Sequence, residues 1–252
     1  MRAIAVIPTY NERENLPLVV EKIHAHAPTL DILIVDDNSP DGTGRLAETL
    51  GEGHPQRLFV LHREAKQGLG RAYVDGFREA LKRGYDLVLQ MDADLSHDPR
   101  YLPDFLQRIA DADLVIGSRY LRGISVVNWD FKRLLLSKMA TAYVRLITGL
   151  RLTDTTSGFK CWRRSLLDLV RLEETFANGY LFQIEMTYRA HRLGARIVEI
   201  PIIFEERHIG RSKLNWRVIG EALSGVLSLR LRALRLHARR NTRPGGPSQD
   251  CR

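Results

Sequence analysis

The chain has 252 residues, 44% of them hydrophobic, which is enough to bury a substantial core in one α/β domain and excludes a disordered protein. Its formal net charge of +8 is unevenly placed: residues 207–252 carry 11 Lys and Arg against 2 acids, whereas residues 1–206 carry 27 against 28. A neutral body with a basic end argues against a nucleic-acid-binding fold with a basic face spread over it, and points to an anionic partner met near the C-terminus. The opening MRAIAVIPTYNE has an apolar run too short for a secretory signal peptide. Cys161 and Cys251 lie far apart, which suggests neither a disulfide framework nor a Cys-based metal site and fits a reducing, cytosolic setting.

Strands are expected at 3–7 (AIAVI), 31–36 (DILIVD), 57–61 (RLFVL), 86–92 (DLVLQMD) and 112–117 (ADLVIG). Helical stretches at 14–27, 42–50, 69–83 and 100–110 separate them. The strands are nearly continuous Val, Ile and Leu, as required when helices cover both faces of a mostly parallel sheet. This alternation predicts an α/β, Rossmann-like fold. Polar residues gather just after the strands, at 8–12, 36–41, 92–97 and 118–119, the edge where open α/β sheets bind ligands.

Two acidic pairs stand on that edge. Asp92 and Asp94 follow the apolar run Leu87, Val88, Leu89 and Met91, and two like charges this close repel unless something neutralises them. Their hard oxygens suit Mg²⁺ or Mn²⁺, which commonly take one or two carboxylates and complete their shell with water and phosphate. The alternative is a pair of caps for the following helix, with Pro99 near its first turn. Asp36 and Asp37 could accept from a ribose hydroxyl or a base edge, whereas Asp41 and Gly42 are explained by the SPDG turn signal. The glycines of KQGLGRAY (66–73) read as a turn, because Walker and Rossmann spacings are absent. No His pattern supports zinc.

Beyond residue 120, helices are expected at 131–148 and 179–193 and a strand at 195–204. Between 214 and 236, Trp216, Ile219, Leu223, Leu227, Leu231 and Leu234 recur at helical spacing opposite Arg217, Arg232, Arg235 and Arg239. A basic amphipathic helix of this kind lies on a membrane surface, or else packs on the domain with a solvated Arg face. Its longest charge-free stretch, 222–229, is far below the ~20 apolar residues of a membrane span. The layout expected is a catalytic domain at 1–215, the helix at 216–240 and a disordered tail at 241–252.

The stretches PTYNERENL (8–16), VDDNSPDGT (35–43), MDADLSH (91–97), GSRY (117–120), NWDFKR (128–133), DTTSGFK (154–160), GYLFQIEM (179–186) and ERHIGRSKL (206–214) resemble, in order, the family 2 inverting glycosyltransferases of the GT-A fold. Within that family they resemble the dolichyl- and polyprenyl-phosphate mannose synthases. The resemblance implies that Pro8, Tyr10, Glu12, Val35 and Asp37 hold the guanosine of GDP-mannose. Asp92, Ala93 and Asp94 would lie along the diphosphate, with Asp92 and Asp94 on Mg²⁺ or Mn²⁺. Ser96 stands where some relatives have a Gln metal ligand; a water could take its place. Arg119, Arg133, Arg207 and Lys213 match residues that contact nucleotide or acceptor phosphates, and Asp94, Arg119 and Arg133 are the expected catalytic residues. Glu185 is expected to pack a helix or order a loop.

The acceptor implied is a polyprenyl (dolichyl-type) phosphate at the cytoplasmic face of a membrane. The chain is expected to lack the transmembrane helices that many relatives add, so peripheral attachment or a membrane-anchoring protein partner would replace them. Two rivals remain: transfer from UDP-glucose, to the same lipid or to a soluble acceptor, and a noncatalytic scaffold binding membrane or RNA through the basic end.

Overall fold

A computed structural model of the chain describes residues 1–127, 129–205 and 223–232. Its strands are β1 (Ala3–Thr9), β2 (Asp31–Asp36), β3 (Leu58–His62), β4 (Leu87–Gln90), β5 (Leu114–Ser118), β6 (Val126–Val127), β7 (Lys160–Arg163), β8 (Ile197–Pro201) and β9 (Phe204–Glu205). Seven form one sheet in the order β3-β2-β1-β4-β7-β5-β8, and β6 pairs with β9 apart from it. All neighbours in the large sheet are parallel except β7, which runs antiparallel to both β4 and β5. The helices are α1 (Leu16–His26), α2 (Thr43–Gly53), α3 (Leu69–Lys82), α4 (Leu102–Arg108), α5 (Phe131–Thr148), α6 (Arg164–Val170), α7 (Gly179–Arg192) and α8 (223–232).

Alternation along the strands makes two apolar layers. Ile4, Val6, Leu33, Val35 and Val88 face one layer with Tyr73 and Phe77 of α3 and Phe182 of α7. Ala5, Ile7, Ile32, Ile34 and Leu89 face the other with Leu16, Val19 and Ile23 of α1 and Phe105 of α4. Helix α3 lies so close to the sheet that a Cβ on Gly76 would sit 2.4 Å from Val6 Cγ1.

The fold is the α/β, mostly parallel GT-A type that the sequence predicts, and the expected strands and helices differ from the observed ones mainly at their ends. The elements not expected are β6, α6 and β7, the last of which carries buried Lys160 in a four-residue strand and so lacks an apolar run. The reading of Asp92 and Asp94 as helix caps also fails, because Asp98 accepts from Arg100 N–H at 2.9 Å and caps that turn.

The described part of the C-terminal segment packs on the domain. Val226 and Leu229 of α8 join the first layer, Tyr143 of α5 donates to Leu223 O at 2.9 Å, and Arg232 stacks on Phe176. Leu223, Leu227 and Leu231 remain exposed, so α8 is apolar on two faces rather than one.

Candidate active site

The ends of β2, β1, β4 and β5 and the start of antiparallel β7 share one edge of the sheet, and a cleft of about 600 Å³ runs along it. Pro8, Tyr10, Glu12, Asp37, Asp92, Asp94, Ser96, Arg119 and Arg133 all line this cleft. Val35 and Ala93 do not. Both side chains are buried in the apolar layers, Val35 against α3 and Ala93 on the opposite side of the sheet, so neither offers its side chain to a nucleotide. Arg207 and Lys213 lie outside the described residues, as do the segments 216–222 and 233–252 and Cys251.

At the β1/β2 end, Asp36 is held by Thr9 Oγ1 (3.1 Å), Ser39 Oγ (2.6 Å) and Ser39 N–H (3.1 Å), which makes it a loop anchor. Asp37 faces the cleft and is paired with the Arg63 guanidinium, which also donates to Asp75 at 2.9 Å. Burial raises the Asp37 pKa, and Arg63 opposes that shift without cancelling it. Lys66 lies 3.5 Å from the centre of the Tyr10 ring, a cation–π contact.

At the end of β4, Tyr73 donates to Asp92 Oδ1 at 2.8 Å, and Asp92 N–H donates to His97 Nδ1 at 3.0 Å. Burial and the neighbouring Asp92 push the Tyr73 pKa well up, so its hydroxyl is a fixed donor. Ser96 lines the cleft, but its hydroxyl turns back to Asp94 Oδ1 at 2.5 Å and its N–H meets the same oxygen at 3.1 Å. The serine therefore orients Asp94.

Two carboxylates two residues apart in the loop after β4, each with one oxygen fixed by a hydroxyl, fit a hard divalent cation whose remaining ligands come from a diphosphate and water. Among the described residues, no cluster of three or more His, Cys, Asp and Glu encloses a metal.

At the β5 end, Arg119 is buried and donates Nε to Asp154 Oδ2 (2.6 Å) and Nη2 to Asp154 Oδ1 and Thr156 Oγ1 (both 2.7 Å). Two prongs of the guanidinium are thus closed on Asp154, because an arginine this buried requires a counter-ion. The guanidinium lies 5.3–5.4 Å from the ring centres of Tyr120, Trp129 and Phe204, its Nη1 has no hydrogen-bond acceptor among the described residues, and Arg119 lines the cleft. Arg133 stacks on Trp129 at 4.2 Å. Glu185 accepts from the N–H groups of Phe176 (3.2 Å) and Ala177 (3.0 Å), which orders the loop before α7 as expected.

Beyond Arg119 lies a second, apolar cavity of about 320 Å³, walled by Leu136, Met139, Ala140 and Tyr143 of α5, Ile184 of α7, and Leu223 and Val226 of α8. It shares Arg119, Trp129, Arg133, Thr156 and Tyr180 with the cleft. Sequence reasoning missed Asp154, Thr156, Trp129 and Tyr180 as individual site residues, although each lies in a motif block. It also missed Lys66, read only as part of a turn.

A strand-edge cleft with paired carboxylates on a GT-A sheet defines a glycosyltransferase. Residues 4–170 match Glycosyl transferase family 2, and the chain belongs to that family. It is 47% identical over 226 residues to the undecaprenyl-phosphate mannosyltransferase of Micrococcus luteus, covering 90% of this chain and 93% of that one. It is 48% identical over 226 residues to the polyprenol monophosphomannose synthase of Mycolicibacterium smegmatis, covering 89% and 85%. Among solved structures, the glucosyl-3-phosphoglycerate synthase of Mycobacterium tuberculosis in complex with Mn²⁺, UDP and phosphoglyceric acid shares the fold with a TM-score of 0.64 and 20% identity, over 92% of this chain and 78% of that one.

Proposed function

We propose that this chain transfers mannose from GDP-mannose to a polyprenyl phosphate with inversion, giving polyprenyl-phosphate mannose and GDP. The observation that carries the reading is the junction of the two cavities. A polar cleft with paired carboxylates opens, past Arg119, Arg133 and Trp129, into an apolar cavity suited to the first units of a prenyl chain. An acceptor that is a phosphate at one end and a hydrocarbon at the other matches that change of character. The Trp129 ring lines both the cleft and the apolar cavity, at the point where they join. The two mannosyltransferase relatives point to the same sugar and the same class of lipid.

An oxygen of the acceptor phosphate attacks the anomeric carbon as the bond from that carbon to the diphosphate breaks. The electron pair leaves with GDP, and the attack comes from the opposite face. A phosphate monoester has a second pKa near ~6 and is largely dianionic at neutral pH, so no protein base is needed. The remaining difficulty is the meeting of two anions, which Arg119 Nη1 and Arg133 ease on the acceptor side. Asp92 and Asp94 would hold Mg²⁺ or Mn²⁺, which supplies positive charge where the leaving diphosphate becomes more negative.

A bilayer-anchored acceptor requires the cavity mouth to meet the membrane. Residues 131–153 contain Lys132, Arg133, Lys138, Arg145 and Arg151 and no acid. Phe131 (76% exposed), Leu135, Met139 and Leu146 (81%) stand outward on α5, near the exposed leucines of α8. Basic charge with exposed apolar side chains suits an anionic lipid surface. No described helix is long and apolar enough to cross a membrane.

The test is to incubate the purified chain with Mn²⁺ or Mg²⁺, a polyprenyl phosphate, and labelled GDP-mannose or UDP-glucose. The expected product is β-linked mannosyl lipid from GDP-mannose alone. Transfer from UDP-glucose instead overturns the donor, and transfer only to a water-soluble acceptor overturns the lipid. No transfer at all, with a biological role that survives Asp94→Asn, leaves the scaffold.

A further inference from the structure

The side chain of Gln183, on α7, lies buried beneath the cleft. Its Oε1 accepts from Gln90 Nε2 at 2.6 Å and from Lys160 Nζ at 3.1 Å, so the amide orientation is determined by chemistry. The flipped amide would turn an NH₂ group on two donors. Lys160 is itself fixed, because Nζ also reaches Gln183 O at 2.8 Å and Thr187 Oγ1 at 2.9 Å. Gln90 is fixed by Trp162 Nε1, which donates to its Oε1 at 3.2 Å. Gln183 Nε2 is thereby held outward with no acceptor among the described residues, in a wall of the cleft.

The space it faces is opened by Gly158. A Cβ there would lie 3.3 Å from His97 Cε1, 3.4 Å from Gln183 Nε2 and 3.8 Å from Asp92 Oδ2. Position along the sheet says what fits this space. From β2 to β5 the cleft passes Asp37, then Pro8 and Tyr10, then Asp92 and Asp94, then Gly158, then Arg119, on strands spaced ~4.8 Å apart. A nucleotide sugar is built in the order base, ribose, diphosphate, sugar, with the acceptor phosphate next. The diphosphate falls at the carboxylates and the sugar falls over Gly158.

We infer that Gln183 is a sugar-binding residue of the donor site, its Nε2 donating to a hydroxyl of the transferred hexose in the space left by Gly158. This rests on the donor reading above. It adds a determinant that distinguishes a nucleotide sugar from the bare nucleoside diphosphate, since the inferred contact is to the sugar alone.

The experiment is calorimetric titration of the full chain, in Mn²⁺, with GDP and with GDP-mannose. Gln183→Met keeps the length and removes the donor; Gly158→Ala keeps every partner of Gln183 and narrows the space. In both variants GDP affinity stays near the wild-type value, which also certifies the fold, while GDP-mannose binds roughly five- to tenfold more weakly. Equal loss for both ligands, or no loss for either, overturns the assignment. If wild type takes UDP-glucose instead, the donor reading fails, and the same comparison with UDP and UDP-glucose decides Gln183 on its own.

Discussion

Arg119 and Asp154 form a buried two-pronged ion pair at the junction of the cleft and the apolar cavity, with prongs of 2.6 and 2.7 Å. Burial opposes ionisation of Asp154, but the guanidinium outweighs it and holds the carboxyl below its ordinary range. Glu199 supports the same loop by accepting from Thr153 N–H (2.8 Å) and Asp154 N–H (2.9 Å). The pair thus fixes the Arg119 guanidinium at that junction.

Replacing Asp154 by Asn leaves that guanidinium charge buried without its counter-ion. The expected cost is about 3–5 kcal/mol of stability in urea unfolding, with loss of transfer activity in whatever remains folded. Arg119→Lys should not preserve activity, because a point charge cannot reproduce the planar fork. A stability change below about 1 kcal/mol in Asp154→Asn would mean the pair is hydrated and peripheral.

The parallel part of the sheet was legible because Val, Ile and Leu runs buried on both faces leave a plain signal, as in β2 and β5. Strand β7 was not, since the hydrogen bonds of its Lys160 go, among the described residues, to α7, some 23–27 positions along the chain. The carboxylates Asp92 and Asp94 stood out as a cost needing compensation. Asp154 did not, because a lone Asp in DTTSGFK gives no sign that Arg119 closes on it. The side chains of Val35 and Ala93 pack in the two core layers, a placement that their motifs alone do not reveal.

Tyr73→Phe should lower metal affinity without removing a ligand. Tyr73 is fully buried, stacks on Phe182 with ring centres 5.9 Å apart, and orients Asp92 through one hydrogen bond. Loss of such an orienting partner typically weakens metal binding about 10- to 100-fold. Mn²⁺ titration of activity should show a raised half-saturation that excess metal restores, whereas Asp94→Asn or chelation should abolish activity. Activity of Asp94→Asn within about tenfold of wild type would remove the carboxylates from the mechanism.

The outward face of α5 gives a test of membrane contact that leaves the cleft intact. Phe131, Leu135 and Leu146 are exposed, and none lines the cleft or the apolar cavity. Changing all three to Gln should reduce sedimentation with anionic vesicles and raise the KM for a long-chain polyprenyl phosphate. Affinity for GDP-mannose should be unchanged. Undiminished vesicle binding would shift attachment away from α5.

Lys160 gives the stability an unusual pH dependence. Burial lowers its pKa from the ordinary 10.5 to about 7, with Asp154 only partly opposing that shift. Between those two values the unfolded chain holds a proton that the folded chain lacks, so the folded state gains stability as pH rises from about 7 towards 10.5. Below about 7 both states are protonated and the full cost of burying the ammonium is felt. Wild type should therefore gain on Lys160→Met, at up to on the order of 1 kcal/mol per pH unit across this window. Urea unfolding of both proteins at pH 7, 8 and 9 measures the difference directly. A constant gap between them would mean that Lys160 stays charged throughout, held as an ammonium by Gln183 O, Gln183 Oε1 and Thr187 Oγ1.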